Sequence, residues 1–144
     1  GTTDFIFGPA AAWFERCHIH SKKNSYVTAA STVEDHEFGY VFNRCRLTAA
    51  EGIERVYLGR PWRPFAATLF MKCELGGHIL PEGWHNWDKP SNEQTARYAE
   101  YNSTGPGANP AARVSWSRQL SRKEAKKYTV VKVFARHDGW NPVK

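Results

Sequence analysis

Apolar and polar residues alternate along the first half of the chain in short runs, and the runs return at a fixed interval. Phe14-Glu-Arg-Cys17-His-Ile19, Phe42-Asn-Arg-Cys45-Arg-Leu47 and Phe70-Met-Lys-Cys73-Glu-Leu75 share one frame: Phe, any residue, Arg or Lys, Cys, any residue, Ile or Leu. The frame recurs after 28 residues and again after 28. Four matched features at two equal intervals mark a repeat architecture, in which each unit buries a face by stacking on the next.

The kind of unit follows from the local period. Trp13, Cys17 and Ile19, then Val41, Cys45 and Leu47, then Leu69, Met71, Cys73 and Leu75 are apolar at mostly alternate positions, as in a strand with one face inward. Phe14, Phe42 and Phe70 lie on the other parity, which calls for either a bulge or a covered outer face. Ser25-Tyr-Val-Thr28 and Arg55-Val-Tyr-Leu58 read as further strands between polar or Gly-containing turns. Several short strands per repeat predict an all-β chain, a parallel β-helix whose like residues stack at roughly 4.8 Å per rung.

After Leu75 the repeat fades into long loops around Gly76-Gly77, Pro81-Glu-Gly-Trp84, Trp87-Asp-Lys-Pro90 and Thr104-Gly-Pro-Gly107. Long connections on a rigid scaffold commonly carry function. Ser121-Arg-Lys-Glu124 has capping-box spacing and predicts a short helix near the C-terminus, and Val130 to Phe134 is expected to be a closing strand. No linker is legible, so residues 1–144 are expected to form part of one domain.

Composition narrows the partners. The 144 residues are 41% hydrophobic and 14% aromatic, enough for a real core. Twenty Lys and Arg against fourteen Asp and Glu give +6, which favours an anionic partner. No apolar run approaches the roughly 20 residues needed to span a bilayer. The chain opens at Gly1, without an initiator Met, directly onto Phe5-Ile6-Phe7, and is expected to be a piece of something longer. Its three cysteines cannot all pair and lack metal-site spacing, so buried thiols are expected.

Asp4 is the first candidate for chemistry, because an acid beside so apolar a strand needs a cation or hydrogen bonds. Arg60, in Leu58-Gly-Arg-Pro-Trp62, lies 56 positions further on, twice the repeat. An unbroken period would put it on the same side two rungs away, where a guanidinium keeps a carboxylate ionised and oriented, as a carboxylate nucleophile requires. Trp62, Trp84 and Phe7 are candidate faces for sugar rings, with Trp62 held between prolines; Trp13 and Trp116 read as core. The same basic and aromatic mixture would suit a single-stranded nucleic acid, but no nucleic-acid module is legible, so none is expected as a partner. His18 and His20 share a strand face without a third ligand, so no metal is expected. Neither a G-x-S-x-G elbow nor a phosphate loop is present.

At this point the residues resemble a known family. Gly1-Thr-Thr-Asp-Phe-Ile-Phe-Gly8, Leu58-Gly-Arg-Pro-Trp62, Pro81-Glu-Gly-Trp84 and Asn102-Ser-Thr-Gly-Pro-Gly107, in that order, closely resemble pectin methylesterases over nearly the whole chain. The resemblance implies a right-handed parallel β-helix, here its C-terminal coils, free of metal and other cofactors. It implies Asp4 as the nucleophile attacking a galacturonosyl methyl ester, Arg60 as the arginine that holds it, and Phe7, Trp62 and Trp84 as aromatics of the sugar cleft. It also implies a secreted, wall-associated or periplasmic location and methyl-esterified pectin as partner. The family's acid/base aspartate and oxyanion glutamines belong to a Gln-Asp-Thr segment absent from these residues. The missing N-terminal half would thus be a further partner, and the 144 residues alone are expected to be nearly inactive. The competing expectation is a non-catalytic β-helix module that binds acidic polysaccharide.

Overall fold

The computed structural model describes residues 1–135 and 141–143. Three coils each contribute three strands: β1 (Ile6–Gly8), β2 (Ala12–Glu15) and β3 (His18–Ser21); β4 (Tyr26–Ala30), β5 (Tyr40–Asn43) and β6 (Arg46–Ala49); β7 (Tyr57–Pro61), β8 (Ala67–Met71) and β9 (Glu74–Leu75). Corresponding strands pair in parallel and make three sheets, β1-β4-β7, β2-β5-β8 and β3-β6-β9. This is the expected parallel β-helix. Two elements lie in the stretch read as loops: helix α1 (Asn92–Thr95) and strand β10 (Arg97–Tyr101), which pairs with β8. Strand β11 (Arg118–Gln119) then pairs with β10 and completes the second sheet.

The second and third sheets keep the 28-residue register, pairing Phe14 with Phe42 and Phe42 with Phe70, and Ile19 with Leu47 and Leu47 with Leu75. Of the two explanations for the phenylalanines the covered outer face is realised, and a corner stands in place of the bulge. Each coil turns from second to third sheet through one left-handed residue, Arg16, Arg44 and Lys72, with φ of 52°, 54° and 54°. That corner resets the side-chain parity, so Phe14, Phe42 and Phe70 face inward on one side of it while Cys17, Cys45 and Cys73 face inward on the other. The phenyl rings form a column at 4.5 and 4.3 Å, inclined by only 7° and 6°. Trp84 and Tyr98, 4.3 Å apart, extend this interior packing. The Cys45 and Cys73 thiols are buried and donate to the carbonyls of Phe14 and Phe42, as small apolar groups with a weak donor do.

The outer face of the second sheet is covered as well. Trp13, Val41, Leu69 and Met71, expected to face inward, instead form an external apolar layer with Leu120, Val133, Tyr128 and Phe134. Helix α2 (Arg122–Ala125) carries both arms of the predicted capping box, Ser121 Oγ accepting from Glu124 N and Glu124 Oε2 from Ser121 N. Val130–Phe134, expected as a strand, is helix α3. The Thr129 hydroxyl accepts from Lys132 N, and helical spacing turns Val133 and Phe134 toward the external layer, where Val133 is 3% exposed. β11 already pairs along the edge of β10 that such a strand would have needed.

The first sheet breaks the period. Ile6 pairs with Thr28, 22 positions on, and Thr28 with Gly59, 31 positions on. The loops that leave it differ in length: residues 9–11 connect β1 to β2, whereas residues 31–39 connect β4 to β5. These unequal turns shift the first sheet while leaving the other two in step.

Candidate functional site

The broken register decides which residues share the outer face of the first sheet. Phe7 pairs with Ala29 and Ala29 with Arg60, so these three occupy one row and point to one side. Arg60 therefore stands over Phe7 and not over Asp4; the equal-period argument foresaw the right partners with the wrong register. Asp4 lies in the turn before β1. Its backbone adopts a left-handed φ of 46°, and its amide is anchored to the carbonyl of Tyr26 at 3.0 Å. Asp is one of the few residue types that tolerate this conformation, and the turn swings its side chain back toward the next coils.

Arg60 crosses the remaining distance. Its Nε donates to Asp4 Oδ1 at 3.0 Å and its Nη2 to Oδ2 at 2.5 Å, a fork-to-fork pair. The arginine side chain is 5% exposed and the aspartate 20%, so the carboxylate keeps an edge toward solvent. Among the described residues each carboxylate oxygen accepts one hydrogen bond, which leaves it a second lone-pair direction. Arg60 Nη1 is buried without a hydrogen-bond partner among the described residues.

Aromatic rings enclose the guanidinium. Its Cζ lies 3.6 Å from the ring centre of Trp87, 4.9 Å from Trp62 and 5.5 Å from Tyr26. Such contacts strengthen as water is excluded and fix the planar group without competing for its donors. Tyr26 stacks on Tyr57 at 5.3 Å, and His85 packs against both. Burial first, then the neighbouring Tyr57, pushes the Tyr26 phenol above its ordinary value, which keeps it protonated at neutral pH. Phe7 is 76% exposed, Trp62 51% and Trp87 37%. Three large apolar faces are therefore open to solvent around a half-screened carboxylate. Flat hydrophobic faces beside cations suit sugar rings that carry acid groups.

Asp4, Arg60, Trp62 and Phe7 thus belong to one surface. Trp84 does not: it is 1% exposed, stacked on Tyr98 in the interior. It bridges to Gly59, the inward-facing neighbour of Arg60, where a side chain would collide with Thr28 Oγ1 and press on the Trp84 ring. The tryptophan of this loop that reaches Arg60, alongside Trp62, is Trp87, which sequence reading treated only as part of a loop. Its signal was the turn chemistry around it. Asn86 and Asp88 flank it, Asn86 Oδ1 accepts from Asp88 N, and Trp87 and Asp88 both take left-handed φ. Such a turn lifts its ring off the coil. Elsewhere, His18 and His20 share the hydroxyl of Thr48, each at 2.7 Å.

A family model described as Pectinesterase matches residues 1–138. Pectinesterase 31 of Arabidopsis thaliana is 43% identical over 126 residues, which are 87% of this chain and 40% of that protein. The solved pectin methylesterase from carrot superposes with a TM-score of 0.87 at 33% identity, covering 94% of this chain and 47% of that one. A solved pectin methylesterase in complex with hexasaccharide VII superposes at 0.81 and 27% identity, covering 99% and 49%. The chain spans about two fifths of the length of that Arabidopsis relative and about half of these structures.

Proposed function

This chain belongs to the pectinesterase family, and on that premise we propose that it carries the nucleophile half of an active site that removes methyl esters from pectin. The observation that carries the reading is a solvent-reaching carboxylate, Asp4, gripped by a buried arginine and ringed by exposed aromatics. A free carboxylate oxygen attacks the ester carbonyl of a galacturonosyl unit, forming a tetrahedral oxyanion. Collapse expels methoxide, which takes a proton and leaves as methanol, and an acyl anhydride with Asp4 remains. Water adds to that anhydride, releasing the uronate and restoring the carboxylate. Arg60 holds Asp4 in the attacking orientation through both oxygens, so its role is positioning. Phe7, Trp62 and Trp87 hold the sugar rings by their faces. Trp84 supports the site from the interior.

The acid that protonates methoxide and the donors that receive the oxyanion are, by the resemblance, residues outside these 144. A single oxyanion donor is worth about 10²–10³ in rate, so the isolated 144 residues should release methanol slowly if at all. An extracellular, wall or periplasmic location is part of the same proposal, since the polymer lies there.

Asp4→Asn in the longest native chain containing these residues tests the mechanism. The amide is nearly isosteric but is neither charged nor nucleophilic, and methanol release should fall on the order of 10⁴-fold with pectin binding retained. Unchanged release would remove Asp4 from the chemistry and favour a module that only binds the polysaccharide.

A further inference from the structure

The outer side of the second sheet carries a feature that ester hydrolysis leaves unused. The left-handed corner residue is a cation in each of the first three coils, Arg16, Arg44 and Lys72. The amide of Arg16 donates to the carbonyl of Asn43 and that of Arg44 to Met71, so the three corners stack in register, roughly 4.8 Å apart, with their side chains exposed. Stability alone does not favour this choice. A left-handed corner is easiest for Gly or Asn, and the fourth coil does place Asn102 there with φ of 49°. Like charges side by side on neighbouring strands repel as well.

Beside the row lies a cavity of about 500 Å³ between the second sheet and the C-terminal helices. Trp13, Tyr101 and Tyr128 supply flat apolar faces to it, Lys72, Arg122 and Lys126 supply charge, and no carboxylate lines it among the described residues. Glu15 is the acid nearest the row, and its charge is already used. Its Oε2 accepts from Trp13 Nε1 at 2.9 Å and Asn43 Nδ2 at 2.8 Å, while its Oε1 lies 3.8 Å from Arg16. Glu15 therefore fixes the Trp13 ring at the mouth of the groove.

We propose that this groove is a second saccharide track, separate from the Asp4 trough, that holds a de-esterified uronate segment. An unesterified polyuronate offers one carboxylate per ring along an extended chain, matching cations in single file, and it offers ring faces for Trp13 and Tyr101. A compact phosphate would need donors converging on one point, and these are strung along the coils. The inference takes from the proposed esterase reading only the source of its ligand, which is that reaction's product. Product held on one side of the solenoid would keep the polymer near the trough on the other.

The test uses the longest native chain containing these residues with Asp4→Asn, so that no ester is consumed, titrated calorimetrically with an unesterified galacturonate hexamer. Two binding events per chain are expected. Lys72→Glu with Lys126→Glu should remove one of them or weaken it by about tenfold or more, and the milder Lys72→Gln with Lys126→Gln should weaken it less while the melting temperature holds. The fully methyl-esterified hexamer should show only the event that these variants leave intact. Identical titrations for parent and both variants would overturn the track, as would tighter binding of an oligonucleotide of equal charge. With Asp4 intact, both variants should release methanol from short methylated oligomers at the parental rate. Loss of hexamer binding together with failure of the Asp4 test would leave the track standing and the esterase reading refuted.

Discussion

Among the described residues two arginines are buried beside carboxylates, and they are satisfied to very different degrees. Arg113 pairs with Glu100, with Nε–Oε2 at 2.7 Å and Nη2–Oε1 at 3.0 Å, the side chains 2% and 4% exposed. Its remaining donors reach the carbonyls of Leu80, Pro81 and Gly107, and Gln119 adds a bond to Glu100 at 3.3 Å. Every nitrogen of that guanidinium has a partner, and the pair ties two loops to β10. Arg60 and Asp4 share the same fork, yet Arg60 Nη1 has no hydrogen-bond partner among the described residues, Asp4 sits at a strained φ, and rings of Trp87, Trp62 and Tyr26 stand where carbonyls would close the shell. A saturated pair locks structure. A pair left open on one side keeps lone pairs and an approach path available, as a reacting carboxylate must.

The sharpest way to break this contrast is to neutralise each acid in turn. Glu100→Gln leaves a dry guanidinium uncompensated and should cost about 3–5 kcal/mol by chemical denaturation, with methanol release per folded molecule unchanged. Asp4→Asn, which on the proposed mechanism should abolish methanol release, should cost clearly less stability, because solvent reaches the aspartate and Trp87 still covers Arg60. Equal destabilisation by the two would show that Asp4 is a second structural lock.

Trp87→Ala comes next in size. It uncovers Arg60 without touching its hydrogen bonds, so about 1–2 kcal/mol of cation–π contact should be lost, seen as a fall in kcat/KM of roughly 5- to 30-fold. Trp84→Ala, by contrast, opens a core cavity and should cost about 3–5 kcal/mol of stability.

The smallest effect belongs to a residue outside both pairs. His78 is 7% exposed, and burial, then the facing His20, holds its imidazole below the ordinary value. The unfolded chain therefore takes up a proton that the native state refuses, and stability should fall as pH drops through about 6.5. His78→Gln should flatten the melting temperature between pH 7 and pH 5 while leaving the difference between the Asp4 and Glu100 variants intact.

Legibility in the sequence followed the range of each interaction. The repeat, the interior column of cysteines with Ile19, Leu47 and Leu75, and the capping box follow short-range patterns and were readable. The inward face of the second sheet was not, since Trp13, Val41, Leu69 and Met71 were expected inside and the phenylalanines were left open. The pairing of Asp4 with Arg60 was readable too, but by arithmetic that the first sheet does not obey. The choice between Trp84 and Trp87 was not readable, since both lie in one aromatic loop and Trp84 takes its interior place through long-range contacts with Gly59, Phe70 and Tyr98. Helix α3 was misread because Val and Phe favour strands until a surface offers them a better face.

The sequence by itself determined that coils of 28 residues stack into a β-solenoid, because a period in composition is a period in burial. It also marked Asp4 and Arg60 as partners, because neither residue type is buried cheaply without an opposite charge. Only the tertiary structure decided which row each side chain joins and which aromatic stands over Arg60. Loop lengths set the register of the first sheet, and a shift of one position exchanges inside for outside.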